Sequence, residues 1–161
     1  MSSGVGWNWT KLDESFSNSK VVEQFHEYGC GAACVVMLLA DRGIPVDQLL
    51  VQHKLHLPST AAQMAQRLEE LSENRHHWIG GHLDFDFPIP LEMISVLGEH
   101  GSWSAQLIPE NYRDGHWVVV DGVAEDKNLL IRDPVGSSYR LPYDEFAVLL
   151  RNMVVVFERG A

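Results

Sequence analysis

The sequence holds two cysteines, no long apolar run, no internal repeat and few basic residues, and each shortage narrows what the chain can be. Cys30 and Cys34 stand four apart. On a helix that spacing points both side chains roughly the same way, a poor arrangement for a disulfide, so both are read as thiols in a reducing compartment. The longest apolar candidate, 32–40, covers only part of the ~20 residues that cross a bilayer, and no membrane insertion is expected. Residues 1–19 lack the basic start and continuous apolar core of a secretory signal. Twelve basic against twenty-two acidic residues leave a formal charge of -10, which repels phosphate backbones and anionic lipid and excludes nucleic acid as an expected partner.

What is present fits an ordinary domain. The 161 residues, 45% of them hydrophobic, are enough for one core without disulfides or a structural metal. Residues 1–20 read as an arm, with Trp7 and Trp9 as anchors, and 21–161 as a single domain. The run GAACVVMLLADRG is apolar on nearly every face until Gly43 and predicts a buried central helix from Cys30. Pro58 and an N-cap at Ser59 or Thr60 announce a second helix, with Met64, Leu68 and Leu71 on one stripe. A third follows Pro90 through Leu91, Ile94 and Leu97, ending near Gly98 or Gly101. After these, HWVVVDGV, NLLIRDP, SSYRLP and MVVVFE are β-rich runs between turn signals, the pattern of an antiparallel sheet. The fold class is α+β, with an active-site cleft expected between the halves.

Cys30 is the candidate nucleophile. It sits at a helix start, where partial positive charge and free N–H groups favour thiolate, and Gly29 and Gly31 remove bulk around it. Cys34, one turn inside, is assigned to the core. The competing readings of Cys30 are a buried structural thiol and a zinc ligand with His26 and Cys34; the flanking glycines oppose the helical extension that the zinc site needs. Of eight histidines, His53, His56, His76 and His77 lie in polar connecting stretches, whereas His116 opens an apolar strand. A hairpin joining 117–123 to 128–133 brings Asp133 to His116, where its carboxylate would select the imidazole tautomer able to accept the thiol proton. The bland reading of Asp133 is an Asp-Pro turn initiator. Gln24, six residues before Cys30, is the candidate side-chain donor of the oxyanion hole. No metal or other cofactor is expected. Farther along, His82, Asp84 and Asp86 alternate with Leu83, Phe85 and Phe87, a pattern read either as a strand on a cleft wall or as a solvated strand edge.

The segments 24–34, 115–122 and 130–136, in this order, resemble the bacteriocin-processing peptidases, papain-like domains that cut leader peptides after a double glycine. The likeness runs from about residue 21 to about 157. It implies a papain-like fold, a triad of Cys30, His116 and Asp133, and Gln24 as oxyanion donor. Two features depart from the family: Gly29 stands where Asp usually precedes the cysteine, and 103–115 is longer and more polar than usual. The function expected is a cysteine peptidase acting on a peptide or protein substrate, as a free-standing leader-peptide or effector-type protease. A papain-like glutamine deamidase or transglutaminase, as in toxins and effectors, is the alternative, and a non-catalytic peptide-binding module is the third reading. With 29 residues before Cys30, an enzyme born active or restrained by a dedicated inhibitor or immunity protein is expected. Its expected location is the cytoplasm, or outside it by a Sec-independent route.

Overall fold

The structure is a computed structural model that describes residues 21–55, 59–109 and 115–160. The arm 1–20 with Trp7 and Trp9, and also His56 and Pro58, lie outside the described residues. Helix α1, Cys30–Ala40, buries every residue from Cys30 to Leu39, as its all-round apolar pattern requires. Gly43, at φ 78°, turns the chain away, and the Ile44 N–H bonds back to the Leu39 carbonyl at 2.9 Å. Such a left-handed turn costs glycine little, which is why the helix can stop there.

Helix α2, Gln48–Lys54, is capped by Asp47, whose carboxylate accepts from the Leu49 N–H. Helix α3, Ala61–Leu71, begins at Thr60 with a reciprocal capping box to Gln63 and buries Met64 and Leu68. Strand β1, His77–His82, crosses next, followed by α4, Leu91–Leu97, and β2, Trp103–Leu107. Strands β3 (His116–Val123), β4 (Asn128–Asp133) and β5 (Ser137–Pro142) form a meander, and α5 (Tyr143–Leu149) leads into β6 (Val154–Arg159). The six strands make one sheet in the order β1-β6-β2-β3-β4-β5, every paired neighbour antiparallel.

Alternation along the strands builds a core on each face of this sheet. Trp117, Val119 and Val156 pack with α1, α2 and α3, while Val118, Val120 and Val155 pack with Ile94 and Leu97 of α4 and Phe146 of α5. The α+β reading therefore holds, with two additions: β1 from the helical half completes the sheet, and helices cover its second face. The strand suggested for 82–87 is not there. Partner strand β6 begins at Val154 opposite His82, only the Leu83 N–H still reaches Met153, and residues 84–88 run exposed into Ile89 and Pro90. Histidines 53 and 77 lie in α2 and β1 rather than in connections, and His76 pairs with Glu158.

A buried charge cluster ties α1 to the sheet. Arg132 of β4, 1% exposed, forks onto Asp121 of β3 with two bonds of 2.7 Å and also reaches Asp41, the residue that ends α1. Ser102 donates to the same Asp41. Removing the guanidinium leaves the Asp121 carboxylate, its side chain 3% exposed, buried without its partner, a loss of roughly 3–5 kcal/mol for a buried pair. Arg132→Leu is expected to lower the urea unfolding free energy by about that amount, whereas Arg140→Leu, which removes an exposed bond to Asp126, shifts it by less than about 1 kcal/mol.

Candidate active site

The site forms where the first turn of α1 meets the open end of the β3–β4 hairpin. Cys30 is 8% exposed, and its Sγ accepts the Trp117 backbone N–H at 3.5 Å. Gly29 offers no side-chain cap, and the helical ladder first closes where the Ala33 N–H reaches Gly29 O, 3.1 Å away. The N–H groups of Cys30, Gly31 and Ala32 thus have no partner within the helix, which is the helix end an anion favours. Gly31 is needed for approach: a Cβ there would stand 2.9 Å from the Ser59 Cβ. The Trp117 indole N–H donates to the Ser59 carbonyl at 3.1 Å, so one strand residue fastens both the thiol and the segment leading to α3.

His116 lies close enough to Cys30 for the thiol to bear on the charge of its ring. Its Nε2 is 2.6 Å from Asp133 Oδ1, both side chains being buried. With Nε2 held by the carboxylate, Nδ1 is the ring nitrogen left for the thiol. Burial works against charge on this imidazole, but the bonds to Asp133 and Cys30 and their negative charge outweigh it and push His116 from 6.5 up to about 9. Asp133 is itself held by the Val135 N–H at 3.0 Å on Oδ1 and the Tyr139 hydroxyl at 2.8 Å on Oδ2. Cys34 is completely buried, and burial, with the nearby Cys30 adding to it, pushes its thiol well above the ordinary value.

Gln24 lies on the segment ahead of α1, where its backbone N–H bonds to the Pro134 carbonyl at 2.8 Å. Its side-chain Nε2 donates to His26 O at 2.7 Å and Glu27 O at 3.1 Å, which shapes the loop before the cysteine. Helix α1 starts at Cys30, so His26 is not carried on a backward extension, and its Nδ1 accepts the Tyr28 N–H. Among the described residues, no group of three or more His, Cys, Asp and Glu is arranged to hold a metal ion. The space beside Gly29 is taken: a Cβ would stand 3.1 Å from His26 O and 3.3 Å from Gln52 Oε1. An aspartate there would face two carbonyl oxygens.

Three residues around the centre escaped sequence reasoning. Tyr139 was legible only as a buried position of an alternating strand, and Trp117 only as an apolar neighbour of His116. Gln52 belongs to α2, whose start signal, Pro45-Val46-Asp47 ahead of an apolar run, was present but short.

No family model matches the chain. Over 144 residues it is 35% identical to cysteine protease effector 1 of Escherichia coli O1:K1:H7, an alignment that spans 89% of this chain but 27% of that protein. The chain thus covers about a quarter of that relative's length. Among solved structures it is similar to a double-glycine-motif protease from an AMS/PCAT transporter, crystallised with a leader peptide (TM-score 0.68, 17% identity, 90% of this chain and 96% of that one). It is also similar to the peptidase domain of Streptococcus ComA (TM-score 0.66, 16% identity, 89% and 100%). A C39-like peptidase from Bacillus anthracis gives a TM-score of 0.67 at 14% identity over 90% of this chain and 96% of that one. The chain carries the papain-like fold of the double-glycine, C39-like peptidase domains and resembles them in the order of its motifs.

Proposed function

We propose that the chain is a cysteine peptidase in which Cys30 is the nucleophile, His116 its acid and base, and Asp133 the residue that orients the imidazole. The observation that carries this reading is the unbroken line of contacts from Cys30 through His116 to Asp133, with Nε2 on the carboxylate and Nδ1 left to the sulfur. The likeness to a named cysteine protease effector and to peptidase domains supports peptide bonds as the target.

The Cys30 thiolate adds to a peptide carbonyl, forming the S–C bond and placing negative charge on the carbonyl oxygen. The Cys30 N–H at the helix start and the Gln24 amide stabilise that oxygen, the latter by turning one of its two N–H groups from the loop carbonyls to the substrate. His116 then protonates the leaving amine as the C–N bond breaks. Water, losing its proton to His116, attacks the thioester, releases the acid and restores the thiolate–imidazolium pair. An effector role, supported by the relative's name, is part of this proposal, and so is a dedicated inhibitor.

Mass spectrometry of a peptide library and a glutamine-containing protein incubated with the chain tests the reading. Backbone cuts by wild type and none by Cys30→Ala are expected. One-dalton gains without cuts would replace it with a deamidase, and no product of either kind would leave a binding module. In the same assay Gln24→Ala is expected to lower kcat roughly 10²-fold with KM little changed, the signature of a lost oxyanion donor.

His116 also sets a pH dependence. Its folded value of about 9 exceeds the 6.5 of the free side chain, so the charged pair contributes stability in full below 6.5 and loses it as pH rises through about 9. Urea midpoints of wild type are expected to fall across that window, and those of Asp133→Asn to change less. The alkaline limb of kcat/KM is expected near 9 in wild type and at lower pH in Asp133→Asn; superimposable profiles would remove Asp133 from its assigned role.

A further inference from the structure

Strand β5 delivers a tyrosine to the carboxylate oxygen that the imidazole leaves free. In the β4–β5 ladder Tyr139 stands opposite Ile131, and Ser137 opposite Asp133. Asp133 and Ile131 are two apart on one strand and share a face, which makes Tyr139 the diagonal neighbour of Asp133 on that face. A diagonal of about 7–8 Å is too long for a short side chain and within reach of a tyrosine. The Tyr139 hydroxyl accordingly ends 2.8 Å from Asp133 Oδ2, while Oδ1 faces His116 Nε2 at 2.6 Å. Its side chain is 1% exposed and belongs to the apolar cluster of Val118, Ile131, Leu141 and Phe146. A phenylalanine would fill the same apolar space, so the hydroxyl is the part of this residue that the core does not need. A ring so enclosed has little freedom to follow the carboxylate, and the carboxylate is placed by the ring.

We propose that Tyr139 is a positioning residue of the peptidase: its hydroxyl, donated to Oδ2, fixes the plane of the Asp133 carboxylate so that Oδ1 stays aimed at His116 Nε2. The proposal deepens the peptidase reading and rests on it. The torsion that turns an aspartate carboxylate is broad and resists little. Two of the donors, the imidazole and the Val135 N–H at 3.0 Å, sit on the same oxygen, Oδ1, and leave Oδ2 able to swing. The tyrosine bond stops that swing. Without the hydroxyl, Oδ2 is a buried acceptor that has lost this donor, and rotating it toward the Val135 N–H or the imidazole relieves the loss by lengthening the Oδ1–Nε2 bond. Against the burial that works to discharge the His116 ring, the bond and charge of Asp133 and of Cys30 keep it protonated. A looser carboxylate therefore lets the imidazolium lose its proton at lower pH. Tyr139 acts on the reaction through Asp133.

Tyr139→Phe keeps the ring and removes the hydroxyl. Tyr143→Phe is its control, since that hydroxyl donates instead to the Ile89 carbonyl at 2.7 Å. On a peptide cut by wild type, Tyr139→Phe is expected to lower kcat roughly tenfold with KM little changed. The alkaline limb of its kcat/KM is expected to move down by about one pH unit, a tenfold change in the proton affinity of His116. The same displacement is expected in the NMR titration of the His116 ring, which needs no substrate. In an Asp133→Asn background Tyr139→Phe is expected to change neither kcat nor the limb, because the residue it acts through is already altered. Tyr143→Phe is expected to keep the wild-type profile. A Tyr139→Phe profile and titration superimposable on wild type, or an equal drop of kcat in the Asp133→Asn background, would overturn the positioning role and leave the peptidase standing. A displaced titration in a chain that cuts no peptide would overturn the peptidase and support the link from Tyr139 to His116, and neither cutting nor displacement would overturn both. If Tyr139→Phe does not fold, wild type carries the test: the NMR shift of Tyr139 Cζ is expected to follow the His116 titration, and a flat shift overturns the proposal.

Discussion

Burial of α1 against β3 is the constraint on which the rest of this molecule depends. A helix apolar on every face can be stable only when surrounded, and here α2, α3 and the Trp117–Val119 face of the sheet surround it. Enclosure fixes the helix axis, and the axis fixes where its first residue ends up. Cys30 is held at the end of that axis, where its sulfur accepts the Trp117 N–H. The far end is fixed separately, by Asp41 in the grip of Arg132. A helix anchored at both ends cannot slide, so the distance between sulfur and imidazole is a property of the core rather than of a flexible loop.

Much of this was legible beforehand. The all-round apolar pattern of 32–40, the Gly43 stop, the cap before 61 and the turn residues 125–128 are local signals, and each element they announce is present. The pairing of His116 with Asp133 could be read because both flank the open end of the same hairpin, and it survives the register shift between Val120 and Gly122. Other elements were hidden for physical reasons. Strand β2 carries Ser104 and Gln106 among its five residues and so resembles a polar connection; the Ser104 hydroxyl is satisfied inside the sheet by the Val118 carbonyl at 2.7 Å. Helices α2 and α5 are seven residues long, too short for periodicity to stand out. The expected strand at 82–87 had the right alternation but no partner, since β6 had already been used up by β1. Alternation announces a strand only where a neighbour remains to pair with.

The setting of Gln24 could not be foreseen either. Its place six residues ahead of the cysteine suggests an oxyanion donor, and the fold does hold it near, through a backbone bond to Pro134 at the end of the β4 strand. Both N–H bonds of its amide, however, are directed at carbonyls of the loop it belongs to. These bonds define the loop, and in the proposed mechanism one of them must break for the amide to act as a donor. In the proposed mechanism the substrate's carbonyl oxygen competes with those two loop carbonyls for the one amide. Negative charge decides that competition, since a hydrogen bond to an oxyanion is roughly twice as strong as one to a neutral carbonyl.

The carboxylate at the other end of the site obeys the opposite logic. Asp133 Oδ1 takes the imidazole and the Val135 N–H, and Oδ2 takes the Tyr139 hydroxyl. Three donors on one buried carboxylate fix its plane and its position. A carboxylate so placed faces Nε2 as an acceptor, with Nε2 as the donor. The imidazole can then exchange protons only through Nδ1, on the side where the sulfur lies. In the proposed mechanism, proton movement is thereby confined to one path between Cys30 and His116, and the direction of that path is set by a tyrosine and a turn amide on the far side of the carboxylate.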